Sequence, residues 1–313
     1  MKIAAVVVTF NRIELLKESI LSLRSQTYKF DNIVVVNNSS TDGTLDWLGV
    51  QTDLTVITQD NLGSGGGQHT GIKYAYENGC DWIWCMDDDL VLYPDCIQTL
   101  VDFLIIDNFK IGALQPLKLS NPDGIIHHGA EYIDLNKLKI MDIYDNAKTN
   151  GYYLTNSFCF EGVLINKDIV KTIGLPRKDF FITNDDREYA LRIMSCFPDV
   201  RIVLLGQVLM KRLRTQSAPS ISFVQMILSV SEWEIFLFQS YFRNFFLAIQ
   251  LNFPDSFRKR SAFFFILKNY KWVIKIILAI LLFHKNKYHK IMNLFSSIVI
   301  QGILKREYVI KLK

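Results

Sequence analysis

The first 116 residues alternate between apolar runs and amphipathic segments, and this alternation is the strongest constraint on the fold. The apolar runs predict strands covered on both faces, at Ile3–Thr9, Asn32–Asn38, Leu54–Gln59, Asp81–Met86 and Ile111–Pro116. Residues 12–26, 72–78 and 94–107 between them are predicted to form helices. Strands that alternate with helices form parallel β-α-β units, so the sequence predicts an α/β fold with a mostly parallel, doubly wound sheet.

A polar stretch from about Asn121 to Ser157 interrupts this pattern, and strand-like sequence then resumes. Phe158–Asn166 predicts a strand, the residues around Ile169 a short helix, and Arg201–Gly206 the strand that closes the sheet. The polar segment after it, which contains Pro219, predicts a boundary. We therefore expect an α/β domain over residues 1–218 and an α-helical region over residues 219–313.

The formal charge of +4 hides an uneven distribution. Residues 255–313 hold 13 Lys or Arg residues and two acids, which gives +11, whereas the rest has 22 basic residues against 29 acids, which gives −7. An acidic body with a basic, apolar tail predicts two parts with different partners. The five cysteines are scattered, which argues against a disulfide scaffold and is typical of a reducing cytoplasm.

Polar residues follow four of the predicted strands at their carboxyl ends, where parallel sheets bind ligands. They are Thr9, Asn11 and Arg12 after the first strand, Asn38 and Asp42 after the second, Asn61 after the third, and Asp87, Asp88 and Asp89 after the fourth. A coincidence at four strand ends is a stronger signal than any single motif. The sequence therefore predicts a ligand site at this edge of the sheet.

The segment Asn61–Gly71 places four glycines within Gly63–Gly67. It lacks the Gly-Lys-Ser/Thr ending of a P-loop and the third glycine of a dinucleotide-binding motif. A glycine-rich loop lets the backbone approach a ligand closely, and the free N–H groups of the following helix suit phosphate. We interpret the segment as a ligand-binding loop centred on Gly65 and Gly66, with a flexible surface turn as the alternative.

The three consecutive carboxylates of Asp87, Asp88 and Asp89 follow a buried strand. Hard divalent cations such as Mg²⁺ and Mn²⁺ take oxygen ligands and often bridge carboxylates to the phosphates of a nucleotide. In extended backbone Asp87 and Asp89 point the same way, so this pair could hold the metal while Asp88 faces elsewhere. An acidic loop or a helix cap is the alternative, and the position behind the strand favours the metal site.

A second acidic cluster, Asp185 to Glu188, precedes a helical segment, where carboxylates act as caps and are favoured by the helix dipole. The functional alternative is a general base that takes a proton from an attacking hydroxyl, with Asp186 as the base and Asp185 beside it. The preceding apolar residues would desolvate the carboxylates and raise their pKa, whereas the dipole would lower it. The sequence leaves open which effect is larger.

Seven stretches carry a resemblance to a known family. They are Val6–Arg12, Asn37–Thr44, Asn61–Gly67, Met86–Asp89, Phe160–Ile165, Phe180–Arg192 and Ser240–Asn244, in that order. Together they resemble the inverting GT-A glycosyltransferases of family 2, and within it the bacterial rhamnosyl- and galactofuranosyltransferases. The resemblance implies a GT-A fold in which residues 1–218 form the nucleotide-sugar-binding catalytic domain.

The resemblance also implies a reaction. A UDP- or dTDP-sugar would donate galactofuranose or rhamnose to a glycan or lipid-linked glycan, in the synthesis of cell-surface polysaccharide such as O-antigen or capsule. Asp87 and Asp89 would bind Mn²⁺ or Mg²⁺, and Asp186 would be the base of a single displacement that inverts the sugar. The other implied donor contacts are Thr9, Asn11, Arg12, Asn38, Asp42, Asn61, Gly65, Gly66 and Asp88.

One position departs from the family pattern. The family often carries a further metal ligand, a histidine, just after the strand that matches Arg201–Gly206, and Met210 stands about there in this chain. A thioether is a poor ligand for Mg²⁺ or Mn²⁺. This departure supports an alternative function, a catalytically impaired partner that binds nucleotide or glycan and acts through its tail.

The tail segment Ser261–Phe283 is long enough for a membrane span but contains Lys268, Lys271 and Lys275, whose burial in lipid is costly. Lysines mixed with Phe, Trp and Ile favour a helix that lies at the surface of an anionic membrane, with a helical bundle or homo-oligomer interface as the alternative. No nucleic-acid reader motif is present. We therefore predict a cytoplasmic protein, peripheral to the inner face of the cytoplasmic membrane.

Overall fold

The computed structural model describes residues 1–106, 110–120, 126–127, 132–134, 139–141 and 143–213, together with Ser240 and Asn244. The chain divides into two compact units, Met1–Phe181 with Asp185–Gln216, and Ile182–Asn184 with Ser217–Lys313. In the second unit the Asn244 side chain donates hydrogen bonds to the carbonyl oxygens of Ile182 and Thr183, at 2.8 and 2.7 Å. The predicted boundary at residue 218 stays a prediction, and the predicted C-terminal helices lie outside the described residues.

The first unit is an alternation of strands and helices. Its strands are β1 (Ile3–Thr9), β2 (Asn32–Asn37), β3 (Leu54–Thr58), β4 (Trp82–Asp87), β5 (Leu90–Leu92), β6 (Lys110–Ser120), β7 (Ile126–His127), β8 (Tyr132–Asp134), β9 (Lys139–Met141), β10 (Tyr152–Thr155), β11 (Val163–Asn166) and β12 (Val200–Arg212). Its helices are α1 (Ile13–Arg24), α2 (Thr44–Gly49), α3 (Gly63–Glu77), α4 (Cys96–Ile106), α5 (Tyr144–Asn150), α6 (Lys167–Ile173) and α7 (Asp185–Cys196). None of the helices in the described part of the chain has the length and apolar character that crossing a membrane requires.

Ten of these strands form one mixed sheet. Its central order is β10-β12-β6-β11-β4-β1-β2-β3, with β5 paired to β12 and β7 paired to β6. The pairs among β1, β2, β3 and β4 are parallel, as is β6 with β12, whereas β11 runs antiparallel to both β4 and β6. The predicted α/β architecture is confirmed, with β11 as the strand that reverses direction inside the sheet.

Helices cover both faces of the sheet, which explains the continuous apolar runs. In β1, Ile3, Ala5 and Val7 pack into a core with α1 and α4, while the alternate residues Ala4, Val6 and Val8 pack into a second core with α3, α6 and α7. Because side chains alternate along a strand, a strand buried on both faces needs apolar residues at every position.

Several predicted boundaries were wrong, for a common reason. β6 extends to Ser120 and β12 to Arg212, beyond their apolar runs, because the two strands pair with each other through their polar ends. β11 begins only at Val163, so the predicted strand from Phe158 is shorter. α5 and β10 lie within the stretch read as irregular, where β10 pairs with β12. For β6, β10 and β12, a partner strand distant in sequence outweighs the local pattern.

Candidate active site

The carboxyl ends of the central strands meet at one edge of the sheet. Thr9 of β1 pairs with Asn37 of β2, and Val8 pairs with Asp87 of β4. Since β11 is antiparallel to β4, the residues that precede β11 come to this same edge, and so do the carboxyl ends of β6 and β12. This edge is where a mostly parallel sheet binds ligands.

Asp88 is held by the connection between β1 and α1. The Thr9 hydroxyl donates to Asp88 Oδ2 at 2.7 Å, and Arg12 Nη1 donates to Asp88 Oδ1 at 3.0 Å. Ser19 donates to the backbone oxygen of Asp88 at 2.8 Å. Burial raises the pKa of Asp88, and the charge and hydrogen bond of Arg12 oppose that rise. Both oxygens of Asp88 are therefore engaged in fixing the turn after β4; the predicted donor contacts of Thr9, Arg12 and Asp88 stay predictions.

Asp87 and Asp89 have fewer partners. Asp87 ends β4, and Asp88 and Asp89 form a turn, so the expectation of extended backbone through all three was wrong. Burial raises the pKa of Asp87 well above its usual range, and Glu161 and the neighbouring aspartates add to the rise. Asp89 Oδ2 lies 3.8 Å from nitrogens of both Arg12 and Arg212, while its buried Oδ1 has no hydrogen-bond partner in the described structure.

The other predicted nucleoside contacts stabilise the loops after β1 and β2. Asn11 Oδ1 accepts a hydrogen bond from the Thr41 N–H at 2.7 Å, and Asp42 Oδ2 accepts one from the Ile13 N–H at 3.0 Å. Asn38 is buried and donates to the Gly63 carbonyl at 3.1 Å. Asn11 and Asp42 are exposed at the edge, as a residue that meets a ligand must be.

Backbone strain concentrates in a few short segments of the described chain. The described non-glycine residues with positive φ are Asn11, Ser39, Phe181, Thr183 and Asn184. They occupy three segments: the ends of β1 and β2, and the stretch that leads into α7. Conformations of this kind cost about 1–3 kcal/mol each and gather at functional sites, so their distribution marks these segments as candidates independently of side-chain type.

The glycine segment is not a loop, contrary to the sequence-based prediction. α3 begins at Gly63, whose N–H donates to Asn61 Oδ1 at 3.0 Å. The glycines are present because α3 packs closely: a Cβ at Gly67 would collide with Val8 of β1, and a Cβ at Gly65 would lie only 3.2 Å from the carbonyl oxygen of Arg177. Glycine is a poor helix former, so the sequence favoured a loop, and close packing outweighs that preference. Contact of Gly65 and Gly66 with a donor stays a prediction.

Asp185 and Asp186 occupy the first turn of α7. Burial raises the pKa of Asp185 to about 8, with the Asp186 charge adding to the rise. Burial also raises the pKa of Asp186 to about 6, while Arg187 and its backbone N–H oppose the rise. Desolvation is therefore larger than the stabilisation that a helix N-terminus gives a carboxylate. Asp185 Oδ2 is buried and has no hydrogen-bond partner in the described structure.

A charged cluster that the sequence did not reveal completes this edge. Glu161, which precedes β11, forms ion pairs with Lys118 of β6 through one oxygen and with Arg212 of β12 through the other. Burial disfavours its charge, but the two cations outweigh that effect and lower the pKa of Glu161 to about 2. Arg212 also approaches Asp89, so the cluster is continuous with the aspartates after β4.

The sequence model of glycosyl transferase family 2 matches residues 4–174, which is more than half of the chain and contains β1 to β4 with their strand ends. The chain belongs to this family. Its fold is the GT-A fold that the seven stretches implied.

Relatives of known name support the same assignment. Galactofuranosyltransferase GlfT1 of Mycolicibacterium smegmatis is 27% identical over 198 residues, which are 61% of this chain and 65% of the relative, slightly under two thirds. The dTDP-rhamnosyl transferase RfbF of Shigella flexneri is 24% identical over 221 residues, 64% of this chain and 68% of the relative. The mannosyltransferase PcManGT from Pyrobaculum calidifontis, solved with GDP-Man and Mn²⁺, superposes with a TM-score of 0.56 at 16% identity, over 98% of this chain and 88% of that one; this likeness shows the fold alone.

The residues after β4 fit a divalent cation that is shared with a ligand. Within the described residues no three His, Cys, Asp or Glu side chains converge as a complete metal site. Asp87 is partly exposed and Asp89 has one oxygen without a partner, and both are hard oxygen donors. Mg²⁺ and similar ions are commonly held by one or two carboxylates together with substrate phosphates. Asp87 and Asp89 would provide two such carboxylates.

Met210 pairs with Lys118 of β6 and is not exposed to solvent. It lies within β12, is fully buried, and packs against Gly162, where a Cβ would collide with its sulfur. The sequence placed Met210 beyond the last strand, and the longer β12 moves it into the core. Arg212, two residues further along, is the β12 residue that lies against Asp89 and Glu161.

The structure thus brings the aspartates after β4 and the Asp185–Asp186 pair to one edge of the sheet, and it adds the charged cluster around Glu161. Asp87 and Asp89 lie with Asp88, Thr9 and Arg12, and the Glu161 charge influences the pKa of Asp87, Asp185 and Asp186. The residues that sequence reasoning missed are Lys118, Glu161 and Arg212. The only signal for Glu161 was its position inside the stretch Phe160–Ile165, and none existed for Lys118.

Proposed function

We propose that this chain is an inverting glycosyltransferase that moves a sugar from a UDP- or dTDP-sugar to a glycan or lipid-linked glycan acceptor. Galactofuranose and rhamnose are the sugars we favour, because the named relatives are a galactofuranosyltransferase and a dTDP-rhamnosyl transferase. Acceptors of this kind belong to cell-surface polysaccharide such as O-antigen or capsule. The observation that carries the proposal is the pairing, at one sheet edge, of metal-type carboxylates with a carboxylate of pKa about 6.

The proposed base is Asp186. With a pKa of about 6 it is ionised near pH 7, yet basic enough to accept a proton from an acceptor hydroxyl as that hydroxyl attacks the anomeric carbon. Asp185, with a pKa of about 8, is mainly protonated at the same pH and helps keep its neighbour the ionised member of the pair. Attack opposite the leaving group in one displacement inverts the configuration.

The proposed donor site lies at Asp87 and Asp89. Mn²⁺ or Mg²⁺ held by these carboxylates would offset the charge that develops on the departing nucleoside diphosphate. Through their bonds to Asp88, Arg12 and Thr9 fix the turn that follows Asp87 and contains Asp89. Thr9, Asn11, Arg12, Asn38, Asp42, Asn61, Gly65, Gly66 and Asp88 are the residues we propose to contact the nucleotide sugar.

The test is turnover of purified protein with UDP-galactofuranose and dTDP-rhamnose, Mn²⁺ and a lipid-linked glycan fraction, followed by release of UDP or dTDP. Asp186→Asn should lower turnover about 10²- to 10⁴-fold, the usual contribution of a positioned base, while leaving the affinity for UDP unchanged. The control is Asp168→Asn, which alters an exposed acid in the first turn of α6 and should have no effect. Equal rates for Asp186→Asn and wild type would refute the proposed base, and no turnover with either donor would refute both sugars.

The proposed location is the inner face of the cytoplasmic membrane, with residues 219–313 in peripheral contact with anionic lipid. The basis is the sequence of the tail, with its charge of +11 over residues 255–313. The intact chain should sediment with vesicles that contain phosphatidylglycerol but not with neutral ones, and Lys268→Gln with Lys271→Gln and Lys275→Gln should weaken binding. Equal binding to both kinds of vesicle would contradict the electrostatic part of this proposal.

The alternative of an impaired binding partner remains the second candidate. It rests on Met210, which stands about where the family often carries a metal-binding histidine and is fully buried in the core. Donor binding without turnover in the assay above would favour this alternative.

A further inference from the structure

The proposed mechanism assigns no function to Glu161, although this residue lies in a charged cluster at the same edge of the sheet. Its two carboxylate oxygens pair with two separate cations, Lys118 and Arg212. The side chains of these cations are 2% and 9% exposed, whereas that of Glu161 is 26% exposed. The positive charges therefore lie on the protein side of the cluster, and the carboxylate is the member that reaches the surface of the site.

Such an arrangement is a poor way to gain stability. Removing charges from water costs several kcal/mol per ion, and apolar residues of similar volume often stabilise a protein as well or better. What two buried cations do achieve is a carboxylate that stays ionised and keeps one orientation. With a pKa of about 2, Glu161 neither gives nor takes a proton near neutral pH, so it is unsuited to general acid–base catalysis.

The backbone around Glu161 is fixed from two neighbouring strands. The Gln115 side chain of β6 donates to the carbonyl oxygens of Cys159 and Glu161, at 3.0 and 3.3 Å, and accepts from the Cys159 N–H at 3.3 Å. On the other side the Gly162 N–H donates to the Cys85 carbonyl of β4 at 2.9 Å. Residues that bind a substrate closely need this kind of support behind them.

The position of Glu161 relates it to both predicted groups. Its charge raises the pKa of Asp87 on the donor side and that of Asp185 and Asp186 on the side of the base. Two further buried acceptors in these groups, Asp89 Oδ1 and Asp185 Oδ2, have no hydrogen-bond partner in the described structure. A sugar that reacts with a base at one end and leaves a diphosphate at the other must lie near all three.

We propose that Glu161 is a specificity-determining residue that accepts hydrogen bonds from hydroxyl groups of the transferred sugar, with Lys118 and Arg212 as its positioning residues. The ligand class is a polyhydroxylated sugar carried on a nucleoside diphosphate. This inference rests on the proposed function and assigns the part of the donor that lies beyond the nucleotide. An ionised acceptor suits this task, since hydrogen bonds to charged groups are about twice as strong as neutral ones.

The test separates recognition of the sugar from recognition of the nucleotide. Dissociation constants of UDP, UDP-galactofuranose, dTDP and dTDP-rhamnose are measured by calorimetry with Mn²⁺ for wild type and Glu161→Gln. The ratio of the nucleotide-sugar constant to that of the free nucleotide should rise about tenfold to a hundredfold in Glu161→Gln, the range for a lost charged hydrogen bond. The constant of the free nucleotide should change less than about twofold, which is within ordinary experimental spread.

Glu161→Gln leaves two buried cations with fewer partners and could fail to fold. The double variant Lys118→Met with Glu161→Gln removes one charge of each sign and keeps Arg212 beside Asp89, and it should show the same rise in the ratio. A wild-type measurement gives an independent check: donors that lack one sugar hydroxyl should include at least one that binds about tenfold more weakly. The exposed Glu77→Gln is the matched control and should leave all constants unchanged.

The outcomes separate the two proposals. Free nucleotide that binds normally, with an unchanged ratio in the folded variants, overturns the role of Glu161 and leaves the proposed function intact. The same holds if every deoxygenated donor binds as tightly as the parent sugar. Failure of wild type to bind any of the four ligands overturns the proposed function with these donors, and the role of Glu161 with it.

Discussion

The two acidic segments at the candidate active-site edge, the first turn of α7 and the loop before β11, have pKa values shifted in opposite directions. In α7 the pKa of Asp185 is raised to about 8 and that of Asp186 to about 6. In the loop the pKa of Glu161 is lowered to about 2. Burial is the largest single influence at all three carboxyls and raises each pKa. The number and position of the cations around each acid therefore decide its protonation state.

The difference gives each segment a distinct chemical capacity. At Asp186 the charges of Arg187 and Lys118 and the Arg187 N–H oppose burial without outweighing it, so this carboxyl can exchange a proton near neutral pH. Glu161 has a cation on each oxygen and stays ionised over the whole physiological range. One edge of a sheet thus provides a proton acceptor and a permanent anion, which fits a reaction that needs both a base and a group that holds hydroxyls.

The largest effect on stability is expected from removing Lys118, the most deeply buried cation of the Glu161 cluster. Lys118→Met should lower the free energy of unfolding by about 3 kcal/mol, the low end of the range for a broken buried pair, because it leaves the partly buried Glu161 carboxylate with Arg212 as its single cation. The double variant Lys118→Met with Glu161→Gln should recover much of that loss, since it removes the acid together with the cation. Urea unfolding followed by tryptophan fluorescence measures both.

The control for this prediction is Lys17→Met, which removes an exposed lysine paired with Glu14 in α1. A surface pair of this kind contributes about 0–1 kcal/mol. If Lys118→Met destabilises the protein no more than Lys17→Met does, Lys118 does not hold the charge of Glu161, and the contrast between the two acidic segments has another cause.

The same comparison explains what the sequence could reveal. β1 to β4 are parallel neighbours joined by helices, so their polar strand ends could be brought together by the known rule for such sheets. The meeting of Thr9 with the aspartates after β4 at one edge was therefore predictable, whereas the roles of Asp87, Asp89 and Asp186 stay predictions. The α7 pKa values were not predictable, because burial is the largest influence on both, and burial depends on packing between parts of the chain that are distant in sequence.

The Glu161 cluster could not be predicted from the sequence, because its three residues are brought together by the topology of the sheet. Lys118, Glu161 and Arg212 are separated by 43 and 51 positions in the chain, and they meet only because β11 runs antiparallel between β4 and β6 and because β12 pairs with β6. Lys118 and Arg212 also lie at strand ends that extend past the apolar runs. A lone lysine after a strand has no local feature that distinguishes it from a solvated one.

A smaller effect should distinguish the two segments by the pH dependence of stability. The pKa of Asp185 is raised from 3.8 to about 8 in the folded protein, so folding retains a proton that the unfolded chain loses, and stability falls as pH rises through this interval. Glu161 acts in the opposite sense: its stabilising contribution is present above pH 4.5 and is lost as pH falls towards about 2. Asp185→Asn should therefore be more stable than wild type at pH 8, by at least about 1 kcal/mol.

Thermal unfolding at pH 5 and pH 8 measures this prediction. At pH 5 most of the folded protein carries a protonated Asp185, which asparagine resembles in charge and shape, so the gain from Asp185→Asn should be much smaller there. Asp168→Asn, at an exposed site, should change stability equally little at both values. A gain for Asp185→Asn that is the same at pH 5 and pH 8 would mean that Asp185 is not protonated by burial.

The smallest effect connects the two segments directly. The acidic limb of the pH–rate profile should fall near pH 6, where the Asp185–Asp186 pair gains the proton that disables the base. The Glu161 charge raises the pKa of Asp186 and the Lys118 charge lowers it, so Glu161→Gln should move the limb to lower pH by about half a unit. The double variant with Lys118→Met removes both influences, and its limb should return close to that of wild type.

The position of the limb is read from relative rates within each variant, so weaker binding does not change it. Loss of a sugar contact alone would therefore leave the limb at the wild-type pH. A limb that stays at the wild-type pH in Glu161→Gln would mean that water screens Glu161 from Asp186, and that the two acidic segments act on the substrate without influencing each other.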